Sequence, residues 1–70
     1  MITVEVTAEV LYTCELTAED EEKVKMFAKE NDVTLAFAVA ELYAIGEIDL
    51  YENSVESDFS TENIDGAYEE

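Results

Sequence analysis

The sequence predicts a small α+β domain in the order strand, helix, helix and short second strand, followed by an acidic tail. Two observations carry this. Apolar residues alternate with period two from residue 2 to residue 16, and two threonine-led segments of helical spacing follow between residues 17 and 46. A third sets the scale: seventy residues make one domain at most, with a marginal core.

In the first segment Ile2, Val4, Val6, Ala8, Val10, Tyr12, Cys14 and Leu16 fall on one face of an extended chain. Thr3, Glu5, Thr7, Glu9, Leu11, Thr13 and Glu15 fall on the other. No Gly, Pro, Asn or Asp interrupts the run, so a tight hairpin has no turn residue to use. One long strand, bulged near Ala8, is expected. Thr17 then offers an N-cap with Asp20 three residues on, and Glu19 to Glu22 sit at the positive end of the helix dipole. Val24, Phe27 and Ala28 have helical spacing, which predicts a helix over 18–30 closed by Asn31-Asp32. Thr34 caps a second helix, Leu35 to Ile45, that is apolar nearly all round and ends at Gly46. Such a helix requires cover on every side, which one strand and one helix do not supply. A second subunit is therefore expected. Glu47 to Tyr51 alternates briefly and suits a second strand. The domain is expected to span 1–51, with 52–70 an acidic, partly flexible tail.

The order of these elements, with Leu16-Thr17-Ala18-Glu19-Asp20, Val24 and Phe27-Ala28-Lys29-Glu30-Asn31-Asp32-Val33-Thr34-Leu35, resembles the ribbon-helix-helix family over residues 10–45. The resemblance implies an intertwined homodimer whose N-terminal strands pair into a DNA-reading ribbon. The residues that would face the groove depart from the family's pattern: Leu11, Thr13 and Glu15 stand where Arg, Lys, Asn or Gln is usual. Two chains at −16 each would bring a formal charge of −32 to the duplex. No direct nucleic-acid binding is expected.

Several chemistries lack their residues. The chain has no His, Trp or Arg, so histidine acid–base catalysis, Ser-His triads and arginine clamps are absent. Cys14, the only cysteine, lies on the apolar face of its strand, where an inert buried thiol is expected. Zinc has one thiol and no imidazole to ligate it. Asn63, Asp65 and Gly66 resemble the opening of a calcium loop, but the chain ends before the final bidentate Glu. A non-enzymatic protein without cofactor or metal is expected. The N-terminal residues have no basic stretch or apolar run, and no segment approaches the roughly 20 apolar residues of a membrane span. A cytoplasmic location in a bacterial cell and no membrane partner are expected.

Nineteen acidic residues against three lysines give the formal charge of −16, well beyond the magnitude of about 2–8 that serves solubility in a small domain. The acids occur on every element, and self-repulsion on this scale destabilises a small fold. Carboxylates two residues apart on a strand are separated by roughly 6.6 Å, comparable to the charge repeat of a nucleic-acid strand. These features favour a functional acidic surface over a merely solvated one. The expected contact residues are Glu5, Glu9, Glu15, Glu47, Asp49, Tyr51, Glu52, Glu56, Asp58, Phe59, Glu62, Asp65, Glu69 and Glu70, with aromatic anchors among steering charges. In size, acidity and lack of chemistry the chain resembles small phage anti-defence proteins, the anti-CRISPR and anti-restriction inhibitors. The function expected is that of a phage anti-CRISPR: an inhibitor that mimics nucleic-acid charge and blocks the basic groove of a CRISPR effector or other nuclease. The alternative is an antitoxin-like ribbon-helix-helix dimer whose tail neutralises a basic toxin.

Overall fold

The computed structural model describes residues 1–53 and 55–69, with residues 55–57 described through their backbone pairing. Its first element is not the expected single strand. Residues 2–16 form a hairpin of β1 (Ile2–Thr7) and β2 (Leu11–Glu15), paired antiparallel from Thr3↔Glu15 to Thr7↔Leu11. Ala8-Glu9-Val10 makes the connection, where the Ala8 N–H donates to the Val10 carbonyl at 3.1 Å. The reason the sequence conceals this turn is one of parity. Partner numbers sum to 18 in every pair, so even residues face even residues. A loop of three therefore carries the alternation through the turn without a break, and Ile2, Val4 and Val6 share a face with Tyr12 and Cys14.

Thr17 caps α1 (Ala18–Asn31), its hydroxyl accepting from the Asp20 N–H at 3.1 Å. The helix ends at Asp32, held in the left-handed region at φ 53°. Replacing Thr17 with Ala leaves that N–H without its partner and is expected to cost about 1 kcal/mol of stability, measurable by urea denaturation. Thr34 caps α2 (Leu35–Ala44) in the same way, accepting from the Phe37 N–H at 3.1 Å. Gly46, at φ 79°, turns the chain out of this helix.

The chain then returns to the sheet. β3 (Leu50–Glu52) pairs with β2 through Glu15↔Tyr51, and β4 (Val55–Ser57) pairs with β3. The short strand expected over 47–51 thus starts later, at Leu50, because Glu47 to Asp49 are used to descend from the helix. A single 3-10 turn at Thr61–Asn63 leads to β5 (Ile64–Glu69), which pairs with β1 on the far side of the sheet. The antiparallel sheet has the order β4-β3-β2-β1-β5. Residues expected to form a flexible acidic tail instead supply both of its edges. The physical reason is that β1 is apolar on its inner face along its whole length, and β5 extends the cover of that face with Ile64 and Ala67.

Both helices lie on one side of the sheet. Ile2, Val4, Val6, Cys14 and Leu50 from the strands meet Val24 of α1 and Ala38, Val39 and Leu42 of α2 in one core, with Leu16 and Ile48 completing it. One side of α2 is covered by this chain's own sheet and α1. Only the Ala38-Val39-Leu42 stripe is buried; Phe37 and Ile45 are 51% and 69% exposed. The strand-helix-helix order of the ribbon-helix-helix resemblance is present over residues 11–44, but β2 is flanked by β1 and β3 of the same chain. Among the described residues no helix is long and apolar enough to cross a membrane.

Asp20 is the one buried charged residue among those described. Its carboxylate accepts from the Asp49 N–H at 3.1 Å and lies 4.0 Å from the Lys23 ammonium, fastening the start of α1 to the segment entering β3. An aspartate in a helix's first turn ordinarily faces solvent, so this anchoring role is visible only in the fold.

Candidate functional site

With the helices on one side, the odd-numbered residues of β1 and β2 form an uncovered face. The strand register places them in rows. Glu56, Tyr51, Glu15, Thr3 and Tyr68 occupy one row across all five strands. Thr13, Glu5 and Gly66 make the next, and Leu11 and Thr7 the third. A β-bulge between Glu5 and Val6 adds Asp65 beside that third row, where its carboxylate accepts from the Thr7 hydroxyl.

This arrangement sets Glu15, Glu5 and Asp65 on a diagonal over β2, β1 and β5. Glu5 pairs directly with Thr13, so Glu15 is its diagonal neighbour, at a backbone separation of roughly 7–8 Å. Tyr68 leans back across the face: a Cβ on Gly66 would lie 3.1 Å from its hydroxyl, so a side chain at 66 would displace the ring. The Tyr68 hydroxyl donates to the Glu5 carboxylate, and this bond, with the nearby Glu5 and Asp65 charges, raises the phenol's pKa. Leu11 and Tyr68 are 59% and 55% exposed and stand as apolar and aromatic projections among the acids.

No lysine reaches this face. All three lie on α1, on the other side of the sheet. Lys25 pairs with Glu69 at 2.5 Å and thereby holds that carboxyl below its ordinary range. Lys23 reaches Glu47 at 3.9 Å and donates to its backbone carbonyl at 3.1 Å. Lys23 and Lys25 are thus engaged where the helices are, and the diagonal is left uncompensated.

The residues expected to form one contact surface therefore separate. Glu5, Glu15, Tyr51 and Asp65 belong to the open face, and Glu56 holds the register position opposite Tyr51. Glu9 is exposed at the hairpin tip. Glu47 and Glu69 are taken up by lysines, and Glu52 is half-buried on the inner side, near enough to Cys14 to raise its thiol pKa after burial itself has done so. Glu62 is exposed on the 3-10 turn. Asp49 and Asp58 flank Tyr43 at the end of α2. Phe59 is half-buried, with its ring 5.3 Å from that of Tyr12, and one side of it packs against the core. Glu70 lies outside the described residues. Thr3, Thr7, Leu11 and Thr13 share this face, as the alternation of their segment predicts, and Tyr68 joins it only through the register of β5 with β1.

Among the described residues no three His, Cys, Asp or Glu side chains converge to hold a metal ion. Cys14 is a free thiol, buried in the core. No family model matches the chain, and neither a curated protein nor a solved structure matches it.

The charge imbalance has a direct thermodynamic consequence. The molecule measures 33 × 23 × 22 Å, comparable to the screening length of about 30 Å at 0.01 M salt and far larger than the value of about 3 Å at 1 M. Like charges therefore repel across the whole fold at low salt and only between neighbours at high salt. The thermal midpoint, followed by circular dichroism, is expected to rise steadily with NaCl; a fall would show that the lysine pairs outweigh the repulsion. Glu69 acts in the opposite sense on acidification. Its depressed pKa gives stability present above the ordinary carboxylate range and lost as pH falls through its lowered value, and Glu69→Gln removes that dependence.

Proposed function

We propose that this chain is a non-enzymatic inhibitor whose open sheet face imitates nucleic-acid charge and occupies the basic groove of a nucleic-acid-binding enzyme, a CRISPR effector being the target class. The observation that supports this most is the Glu15-Glu5-Asp65 diagonal on a face with no lysine. Glu5 and Glu15, whose strands set them about one phosphate repeat apart, attract with Asp65 the lysines and arginines that a nuclease uses for the backbone. The hydroxyls of Thr3, Thr7 and Thr13 add neutral acceptors and donors between the charges. Leu11 and Tyr68 give the centre of such an interface the apolar and aromatic contact in which binding energy concentrates.

The mechanism is exclusion. The face is held on a five-stranded sheet, so it need not order on binding, and long-range attraction speeds encounter with a basic groove. Bound there, it denies the groove to nucleic acid while making no covalent change. The contacts use a single copy of the chain.

The test is competition. Fluorescence anisotropy of a labelled nucleic acid bound to a guide-loaded CRISPR effector is expected to fall as the chain is added, with the labelled strand unchanged by the chain alone. The effect is expected to weaken steeply with salt. Undiminished nucleic-acid binding across a panel of such effectors would overturn the proposal. Neutralisation of a basic toxin without any competition would move the function to the antitoxin class.

A further inference from the structure

A second concave feature lies away from the open face, at the C-terminal end of α2. It is a groove of about 660 Å³ lined by Tyr43, Ala44, Ile48, Asp49, Asp58 and Phe59. The Tyr43 hydroxyl accepts from the Phe59 N–H at 2.7 Å and donates to the Asp58 carboxylate at 3.5 Å, so the phenol and the acid are positioned together. The Asp49 N–H is tied to Asp20, which holds its residue at the rim.

Three independent features of this groove favour a cation. Two exposed carboxylates stand at its rim. The ten-residue α2 ends there, presenting the negative end of its dipole, and it has no basic residue in its last turn, whereas α1 has Lys29 in that position. The exposed Ala44 and the rings of Tyr43 and Phe59 line the groove beside these acids, which suits a flat, weakly hydrated cation on an aliphatic stem better than a small hydrated ion. We infer that this groove receives an arginine side chain of a protein partner, its stem on Ala44 and Phe59 and its guanidinium between Asp49 and Asp58 beside the Tyr43 ring. The burial and nearby acids that raise the pKa of Tyr43 keep its phenol protonated, so it supplies a neutral aromatic face.

The inference rests on the partner being a basic protein, as proposed above, but involves a different surface. A probe that tests the groove alone keeps the two separable. The probe is N-acetyl-arginine amide, titrated into the isotopically labelled full chain and followed by amide shifts in NMR. Its neutral isostere, N-acetyl-citrulline amide, serves as the control at matched ionic strength. Saturable shifts are expected at Gly46, Ile48, Asp49, Phe59 and Thr61 with the arginine derivative and not with citrulline. Asp58→Asn is expected to weaken binding about fivefold, in the range of a partly exposed charge pair. Ala44→Lys, at an exposed helix end that tolerates a cation, is expected to fill the groove from within and abolish the shifts while the helix stays folded. Shifts spread over all acidic residues, or equal shifts with citrulline, would overturn the inference and leave the open-face proposal untouched. Binding unaffected by Ala44→Lys would overturn it equally.

Discussion

Reversing Glu5 and Glu15 together to lysine is expected to weaken binding to the target nuclease about a hundredfold, equivalent to about 3 kcal/mol. These two acids are diagonal neighbours on adjacent strands of the open face. Each substitution turns an attraction for a basic groove into a repulsion at a position with no compensating lysine. The chain's formal charge falls only from −16 to −12, since two replacements add +4. Net charge is therefore a poor explanation for a loss of this size, and a matched control can exclude it. Glu22 and Glu30 are exposed on α1, on the helical side. Their reversal to lysine gives the same −12 and is expected to change binding by tenfold at most, through slower encounter. Equal losses in the two double variants would mean that diffuse charge binds the partner and that the diagonal has no special part. Circular dichroism of each variant checks that the sheet is retained, which matters because Glu5 also accepts from Tyr68.

Leu50→Ala is expected to destabilise the fold by about 2–5 kcal/mol, the range for a leucine truncated in a packed core. Leu50 is fully buried on β3 and pairs with Ser57 of β4, so it joins the last hairpin of the sheet to the core. A domain of seventy residues has a total stability of about 3.5–10 kcal/mol by the usual 0.05–0.15 kcal/mol per residue. Self-repulsion puts this chain toward the lower end. The variant is therefore expected to be largely unfolded in low salt and partly recovered in high salt, as read by far-ultraviolet circular dichroism and urea denaturation. A loss below about 1 kcal/mol would show that β3 and β4 contribute little to the cooperative unit.

Elements of this fold differ in how openly the sequence displays them. The two helices are legible because their signals are local: Thr17 and Thr34 bond N–H groups three residues ahead, and Asp32 and Gly46 take up the positive φ that ends each helix. The inner face of β1 and β2 is legible from period two alone. The hairpin between them is hidden, because Ala8-Glu9-Val10 contains no turn-specific residue and its odd length keeps the alternation in phase. β5 is hidden for the opposite reason. The bulge at Asp65 breaks its alternation, and Gly66 and Ala67 carry little strand preference, so its pairing with β1 depends on partners about sixty residues away. Phe59 reads as a partner anchor among acids, and only the structure shows that it also packs against the ring of Tyr12.

The candidate face divides in the same way. The sequence by itself determined that the chain is strongly acidic, that its lysines are confined to one helix, and that Glu5 and Glu15 point away from the apolar side of their strands. Tertiary structure decided which acids stand together. It took Glu47 and Glu69 into ion pairs, turned Glu52 inward, and set Asp65 in line with Glu5 and Glu15. The physical reason is range: caps and periodicity act within a turn or a few residues, whereas a surface is assembled by strand register between segments far apart in the chain.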